Sequence, residues 1–316
     1  MKVAVCITTC KRHEGLKRLL KCLENLTFKR CIPDELQVVV VDNDPAEPEK
    51  AFCESESRRY RWTLRYVAES QRGISYARNR AIVTTRDDFD FIAFIDDDEV
   101  PEHDWLDELL HVQQSYDADI VAGPVLSIFE EEVPEWVLKG KFFERARYET
   151  GYRMKMAATG NVLIRAEVVR NMETIFDERL ALTGGEDTHF FMRLHKMGHT
   201  IVWADNALAH EYVPNSRVTM NWIWKRAYRL GNTITFCEID LYPSVRVRVK
   251  RLLLGGGKVV QGVLQMIISP VLGQHAFVWA IRHMYRGFGM LAALAGRHYE
   301  EYRKVQYTTE SKGESV

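Results

Sequence analysis

Residues 91–101, FIAFIDDDEVP, constrain the fold more than any other stretch. Apolar residues follow one another without alternation and then meet three aspartates and a glutamate. Such a run reads as a strand buried on both faces, the kind that parallel sheets contain. Ligands of open parallel sheets bind just beyond the carboxyl ends of the strands. Asp96, Asp97, Asp98 and Glu99 therefore stand where a ligand would be, crowded against their mutual repulsion. A hard divalent cation, Mg²⁺ or Mn²⁺, shared with substrate phosphates relieves that crowding. A solvated acidic turn capping the next helix is the plainer alternative, and it suits one or two acids better than three.

Strand and helix alternate around this stretch. Residues 2–8 are β-rich and apolar, and Leu16, Leu19, Leu20, Leu23 and Leu26 then recur at helical spacing. Residues 36–41 read as a second buried strand, ending in the turn sequence Asp42-Asn43-Asp44-Pro45. A polar helix over 47–58, a strand over 62–67 and a helix over 73–83 lead to the strand Phe91–Ile95. The alternation predicts a parallel, doubly wound sheet over the first third of the chain. Beyond it, a helix carries Trp105, Leu106, Leu109 and Leu110, and strands are expected over 119–129, 158–164 and 200–203. Residues 186–197 form a helix with Phe190, Phe191 and Leu194 inward. Residues 130–152 have no period and read as a long, mobile lid.

With 316 residues, 46% of them hydrophobic, the chain can bury a full core, as one large domain or one plus an appendage. A net charge of −1 argues against a nucleic-acid binder. The six cysteines show neither CxxC pairs nor zinc spacing, and read as reduced thiols of a cytosolic protein; no signal-peptide pattern opens the chain. The average charge hides an asymmetry: residues 241–299 hold no Asp or Glu, yet hold Arg246, Arg248, Lys250, Arg251, Lys258, Arg282, Arg286 and Arg297. Residues 259–281 are uncharged and long enough for a bilayer, but Gln261, Gln265, Pro270 and Gln274 interrupt them. That pattern suits a helical appendage lying on an anionic cytoplasmic leaflet, with an oligomer interface or a core helix pair as the alternatives. The expected division is a domain over 1–235 and a basic, apolar, membrane-associating region over 236–316 that ends in a polar tail.

Three further features carry chemistry. Asp42, at a strand end, can accept a hydrogen bond from a base imide or a ribose hydroxyl, although its turn is also an ordinary one. Arg78, in RGISYARNR, can bring a guanidinium to the same cleft, or make a surface ion pair. In Thr183-Gly184-Gly185-Glu186-Asp187, two glycines let backbone and substrate approach and two acids open a helix. Helix capping would explain those acids alone. Together with the Asp-rich strand end, they offer one acidic group for a metal and another for a general base.

In this order and spacing, ITTCKR, VVVVDND, RGISYARN, FIAFIDDDEVP, GNVLI and GGEDTHFFMR resemble the family 2 glycosyltransferases. Within that family the chain is similar to the bacterial succinoglycan-type β-glucosyltransferases that build exopolysaccharide on a lipid carrier. The resemblance covers about residues 1–230. It implies a GT-A fold, Rossmann-like and mostly parallel with helices on both faces. It also implies a nucleotide-sugar donor, by expectation a UDP-sugar, a divalent cation, and inversion in one displacement. The acceptor would be a hydroxyl of a glycan or polyprenyl-linked oligosaccharide in cell-surface polysaccharide synthesis. By position, Thr8 and Asp42 would hold uracil, with Arg78, Asp96 and Asp97 on the nucleotide. Asp96 and Asp98 would be the DxD metal ligands, Asp187 the catalytic base, and Glu186 its neighbour. Gly160 and Asn161 match the acceptor-side strand, and Arg217 would help the leaving pyrophosphate. His210 would be a further metal ligand, though Glu211 follows it and either could face the site.

Rival readings stay open. A sugar nucleotidyltransferase would open with a Gly-rich phosphate loop, whereas residues 8–12 contain no glycine. A phosphoacceptor receiver domain would leave residues 184–187 without a purpose. A non-catalytic nucleotide-sugar-binding protein would bind without turnover. No motif names the sugar, the acceptor or the oligomeric state.

Overall fold

The computed structural model describes residues 1–299; the expected polar tail lies outside the described residues. The strands are β1 (Lys2–Thr9), β2 (Glu35–Asp42), β3 (Thr63–Ala68), β4 (Phe91–Ile95), β5 (Glu99–Pro101) and β6 (Ile120–Ala122). They continue with β7 (Val125–Phe129), β8 (Arg153–Met154), β9 (Asn161–Arg165), β10 (Ile201–Trp203) and β11 (Ala209–Val213). An eight-stranded sheet has the order β3-β2-β1-β4-β9-β6-β10-β8, and a three-stranded sheet has the order β5-β11-β7.

The helices α1 (His13–Glu24), α2 (Lys50–Ser57) and α3 (Ile74–Thr85) connect the first four strands, which pair in parallel as expected. Burial on both faces explains their unbroken apolar runs. Val5, Ile7, Val38 and Val40 face Leu16, Leu19 and Leu23 of α1 and Trp105 and Leu106 of α4 (Trp105–Tyr116). Cys6, Val39, Val41 and Phe94 face Ala77 and Ile82 of α3 and Phe190 and Phe191 of the helix beginning at Glu186. Past β4 the sheet turns mixed, because β9 runs antiparallel to both β4 and β6.

Residues 119–129 are two strands in different sheets, β6 and β7, rather than the one expected. Gly123 and Pro124 make the break: a Cβ on Gly123 would stand 2.5 Å from the Ala207 carbonyl oxygen, and proline has no N–H to continue the ladder.

Residues 130–152 are not a free lid. They hold α5 (Glu135–Gly140) and an aromatic cluster, in which Phe143 stacks on Trp222 and Phe142 meets Trp136 and Trp279. Trp279 Nε1–H also donates to the Gly140 carbonyl at 2.9 Å. The segment's apolar residues lack a period because their partners come from distant helices.

After the short α6 (Ala166–Arg170) and α7 (Glu186–Lys196), three long helices complete the described chain: α8 (Met220–Leu241), α9 (Val245–Leu272) and α10 (Gln274–Leu294). Thr219 and Ser244 accept N–H groups of the first turns of α8 and α9. α8 runs unbroken through the boundary expected at 235/236. The uncharged run 259–281 is divided at Gly273 between α9 and α10, so it is no single segment. α9 is long and apolar enough to cross a membrane, and only 17% of its apolar window is buried.

Candidate active site

The acidic strand end is built from the backbone outward. β4 stops at Ile95, and the turn leads into β5 at Glu99, whose Oε2 accepts the Asp96 N–H at 3.2 Å. A Cβ on Gly160 would stand 2.5 Å from Glu99 Oε1, so glycine there makes room for this carboxyl. Burial, helped by Asp96, pushes Glu99 well above the usual carboxylate range.

Asp97 accepts from Thr9 Oγ1 at 2.9 Å and from Arg12 Nη1 at 2.8 Å. Burial nonetheless raises it to about 6. Asp98 meets two guanidiniums, Arg12 at 2.9 Å and Arg217 at 3.2 Å. Burial pushes Asp98 up, but Arg12 and Arg217 outweigh it and hold the carboxyl below its ordinary value.

The second acidic motif arrives on α7. Gly184 and Gly185 have φ of +75° and +88°, and a Cβ on Gly185 would stand 2.0 Å from the Thr233 methyl of α8. Glycine is therefore required at the helix entrance. Phe190, Phe191 and Leu194 fix the helix in the core. Arg78, reaching from α3, joins the two acidic motifs: Nη1 pairs with Glu186, and Nη2 donates to Asp96 Oδ1 at 3.0 Å. Glu186 is buried, and its Oε2 has no hydrogen-bond partner among the described residues. Burial raises it to about 7 against the pull of Arg78, with Asp187 adding to the rise. Asp187 is half-buried, and its Oδ1 accepts the Thr188 N–H at 2.6 Å.

Several expectations change. Arg78 stands between the two acidic motifs, so its direct partners are carboxylates rather than a nucleotide. Thr8 is buried at the end of β1, beside Val41. Asp42 is fully buried in its own turn: Oδ1 accepts the Asp44 N–H, while Oδ2 accepts the Glu49 N–H and the Tyr66 hydroxyl. Three of its roughly four acceptor positions are thus taken by the chain itself. Asn43, which sequence reasoning passed over, accepts the Gly73 N–H at 2.8 Å and ties the end of β2 to the entrance of α3. Asn161 is structural, accepting from Trp105 Nε1 at 2.7 Å and donating to the Pro124 and Ala207 carbonyls.

Successive side chains of a strand point to opposite faces, and β11 turns Ala209, Glu211 and Val213 inward. His210 points the other way and pairs with Glu102 at 2.8 Å. Glu211 accepts from Arg217 at 2.8 Å and also pairs with Arg145, so it shares Arg217 with Asp98. Glu211 shares a face with two apolar residues, a signal the sequence did contain. Arg12 was also missed, although it sits directly beyond the end of β1.

The donor chemistry suits a hard divalent cation, since Asp96, Asp98 and Glu211 offer carboxylate oxygens alone. A second group, Asp177, His189 and Asp240, also gathers its ligand atoms within 4.8 Å. There Arg179 donates to Asp177 at 2.6 Å and to Asp240 at 3.0 Å, so a guanidinium already neutralises both acids. This group is an ion-pair network joining α7 to α8. It is separate from the Asp96–Asp98 site.

Comparison with known proteins gives matches over most of the chain. The model of the glycosyl transferase family 2 matches residues 4–172, and that of the glycosyl transferase family group 2 matches residues 91–295. The succinoglycan biosynthesis protein ExoM of Rhizobium meliloti is 33% identical over 198 residues, which is 63% of this chain and 63% of that relative. Glycosyltransferase AglE of Haloferax volcanii is 23% identical over 250 residues, covering 79% of this chain and 77% of its own. Among solved structures, S. aureus TarS 1–349 in complex with UDP superposes with a TM-score of 0.54 at 17% identity, covering 94% of this chain and 92% of that one. At that identity the likeness speaks for the fold alone.

Proposed function

The chain belongs to the glycosyl transferase family 2, and from that premise we propose an inverting transferase that moves a hexose from a UDP-sugar to a hydroxyl of a glycan or lipid-linked oligosaccharide. One observation carries the reading: Arg78 binds Asp96 and Glu186 together, which brings the metal-suited strand end beside the helix entrance that carries the candidate base Asp187. The similarity to a succinoglycan biosynthesis protein supports polysaccharide synthesis as the setting, and UDP, which TarS binds, is the donor nucleotide we carry over.

Asp96 and Asp98 would hold a divalent cation, with Glu211 rather than His210 as the acid nearest by. When bound, the cation supplies charge to the leaving pyrophosphate. Arg12 and Arg217, already on Asp98, can move part of their hydrogen bonding to phosphate oxygens as these arrive. Arg145 and Arg226 extend the cationic rim; burial, with Arg145 close by, holds Arg226 down to about 10. Asp187, more open to solvent than Glu186, takes the proton from the acceptor hydroxyl. Glu186 stays with Arg78 and holds the helix entrance against the strand end. The acceptor oxygen forms its bond to C1 as the C1–O bond to the nucleotide breaks, so no covalent enzyme intermediate is needed.

The division into a transferase domain and a C-terminal region is proposed with the join in the turn after Leu241, where α8 ends. The exposed apolar side of α9, with Leu253, Leu264, Ile267 and Val271, supports peripheral attachment to the cytoplasmic leaflet. The test is a screen of nucleotide sugars for transfer or hydrolysis, with Mn²⁺ and with chelator. A UDP-hexose should be turned over with Mn²⁺ and not with chelator. Undiminished turnover in excess chelator would remove the cation from the mechanism, and no turnover of any donor would favour a binding protein.

A further inference from the structure

The seam between α9 and α10 holds a group of cations with no acid to answer them. The two helices cross closely at Gly287: a Cβ there would stand 2.6 Å from the Gly255 carbonyl oxygen and 3.0 Å from the Val259 backbone nitrogen. Lys258 precedes Val259 on one helix, and Arg286 precedes Gly287 on the other, so both flank this crossing. Arg282 lies one turn from Arg286, with its guanidinium 4.2 Å from the centre of the Trp279 ring. His283 packs on the same indole at 5.3 Å. No carboxylate pairs with Lys258, Arg282 or Arg286 among the described residues, and residues 241–299 contain none. Lys258 finds a neutral partner, Gln261 Oε1, at 2.9 Å, whereas Arg286 Nε is buried without a hydrogen-bond partner among the described residues.

Buried cations are ordinarily paired, because an unpaired one costs more than its contacts return. Lys258, Arg282 and Arg286 are each half-buried. Burial, with Arg286 adding to it, holds Arg282 down to about 10, and burial with Lys258, Arg282 and Arg286 holds His283 down to about 4. Two arginines buried more deeply than these are answered by acids: Arg78 by Glu186 and Asp96, Arg251 by Glu238. The answering charge for the seam must come from outside the described chain. The apolar side of α9, with Val263, Leu264, Ile267 and Ile268 exposed, belongs to the same helix pair.

We propose that Lys258, Arg282 and Arg286 form a binding site for the phosphate of an anionic membrane lipid, whose chains lie along the exposed apolar side of α9. The site rests on the reading that this side lies on a membrane. A guanidinium pair one helical turn apart suits phosphate oxygens, and Lys258 adds a point charge from the facing helix. The indole of Trp279 covers one face of Arg282.

The test uses the full chain and dihexanoyl phosphatidylglycerol below its micelle concentration, so that no charged surface exists to attract protein at large. Binding is read by phosphorus NMR line broadening, with inorganic phosphate at the same ionic strength as the comparison. Wild type should bind the short-chain lipid at least about tenfold more tightly than inorganic phosphate. The double variant R282Q/R286Q should lose about tenfold or more, while R246Q/R248Q, equal in charge, should stay within about twofold. Melting temperatures show whether each variant is folded, and the wild-type comparison stands even if one is not. Equal binding of inorganic phosphate would make this a free-anion site, and equal losses in both double variants would make it a general charge effect; either overturns the proposal. Flotation of the full chain with phosphatidylglycerol vesicles tests the underlying reading separately. Flotation without short-chain lipid binding would sink the site and spare membrane attachment, whereas short-chain lipid binding without flotation would do the reverse.

Discussion

The catalytic cleft and the α9–α10 hairpin treat buried charge in opposite ways. In the cleft, acids crowd at a strand end and guanidiniums from elsewhere in the chain meet them: Arg12 and Arg217 on Asp98, Arg78 on Asp96 and Glu186. In the hairpin, Arg282, Arg286 and Lys258 gather with no acid paired to them among the described residues, next to an exposed apolar helix side. The first region is electrically answered from within, so it can hold its shape before substrate arrives. The second has no answering acid among the described residues. A buried ion pair is a weak source of net stability, yet removing one partner is expensive. That asymmetry makes the contrast testable.

The largest effect belongs to the chemistry of the cleft. Asp187→Asn keeps the shape of the side chain but cannot accept a proton, so transfer should fall by about 10²–10⁴-fold while UDP binding and melting temperature stay close to wild type. Near wild-type transfer from this variant would move the base elsewhere, with Glu186 next in line.

The contrast itself is broken or upheld by a matched pair of substitutions. At a pH above 7, where Glu186 is ionised, Arg78→Met leaves Glu186 and Asp96 without their cation and should cost about 3–5 kcal/mol in denaturant unfolding. Arg286→Met removes a cation that has no acidic partner, so stability should hold or rise. If both variants lose the same amount, the two regions do not differ in the way described here.

Proton binding gives a smaller effect with a definite sign. Folded Glu186 keeps its proton up to about 7, whereas an unfolded glutamate releases it near ~4.3. Between those values the native state binds more protons, so this group's contribution is fully present at low pH and is lost as pH rises through the window. Melting temperatures taken in chelator at pH 5 and at pH 7.5 should therefore differ less in Glu186→Gln than in wild type. An unchanged difference would mean that Glu186 is ionised throughout.

The smallest effect concerns the join between the regions. Trp279→Phe keeps the aromatic packing on Phe142 but loses the hydrogen bond to the Gly140 carbonyl, costing about 1 kcal/mol. Hydrogen exchange over residues 135–145 should quicken while the sheet stays protected; unchanged exchange there would mean the aromatic cluster alone holds the segment.

Much of this architecture was legible beforehand. Unbroken apolar runs marked β1, β2 and β4 because both of their faces are covered. Leu16, Leu19, Leu20 and Leu23 marked α1 because a single face is. The strand-end aspartates and the glycines before Glu186 stood out because each residue type is costly where it stands unless a ligand or a tight approach requires it. The lid was misread for the opposite reason. Phe142 and Phe143 follow no local period, since Trp279 and Trp222 cover them from far along the chain.

By itself, then, the sequence determined the order of the elements through β4, the acidic strand end, the helix that carries Glu186 and Asp187, and the charge asymmetry of the C-terminal helices. These follow from local periodicity and from the chemistry of neighbouring residues. Tertiary structure alone decided which acid each arginine meets, that Glu211 rather than His210 turns toward Arg217, that Asp42 closes its own turn, and that residues 130–152 are held in place. The reason is physical. A side chain's type is fixed by its own position, but its partner is fixed by how distant elements pack, and Arg78 and Glu186 stand 108 residues apart.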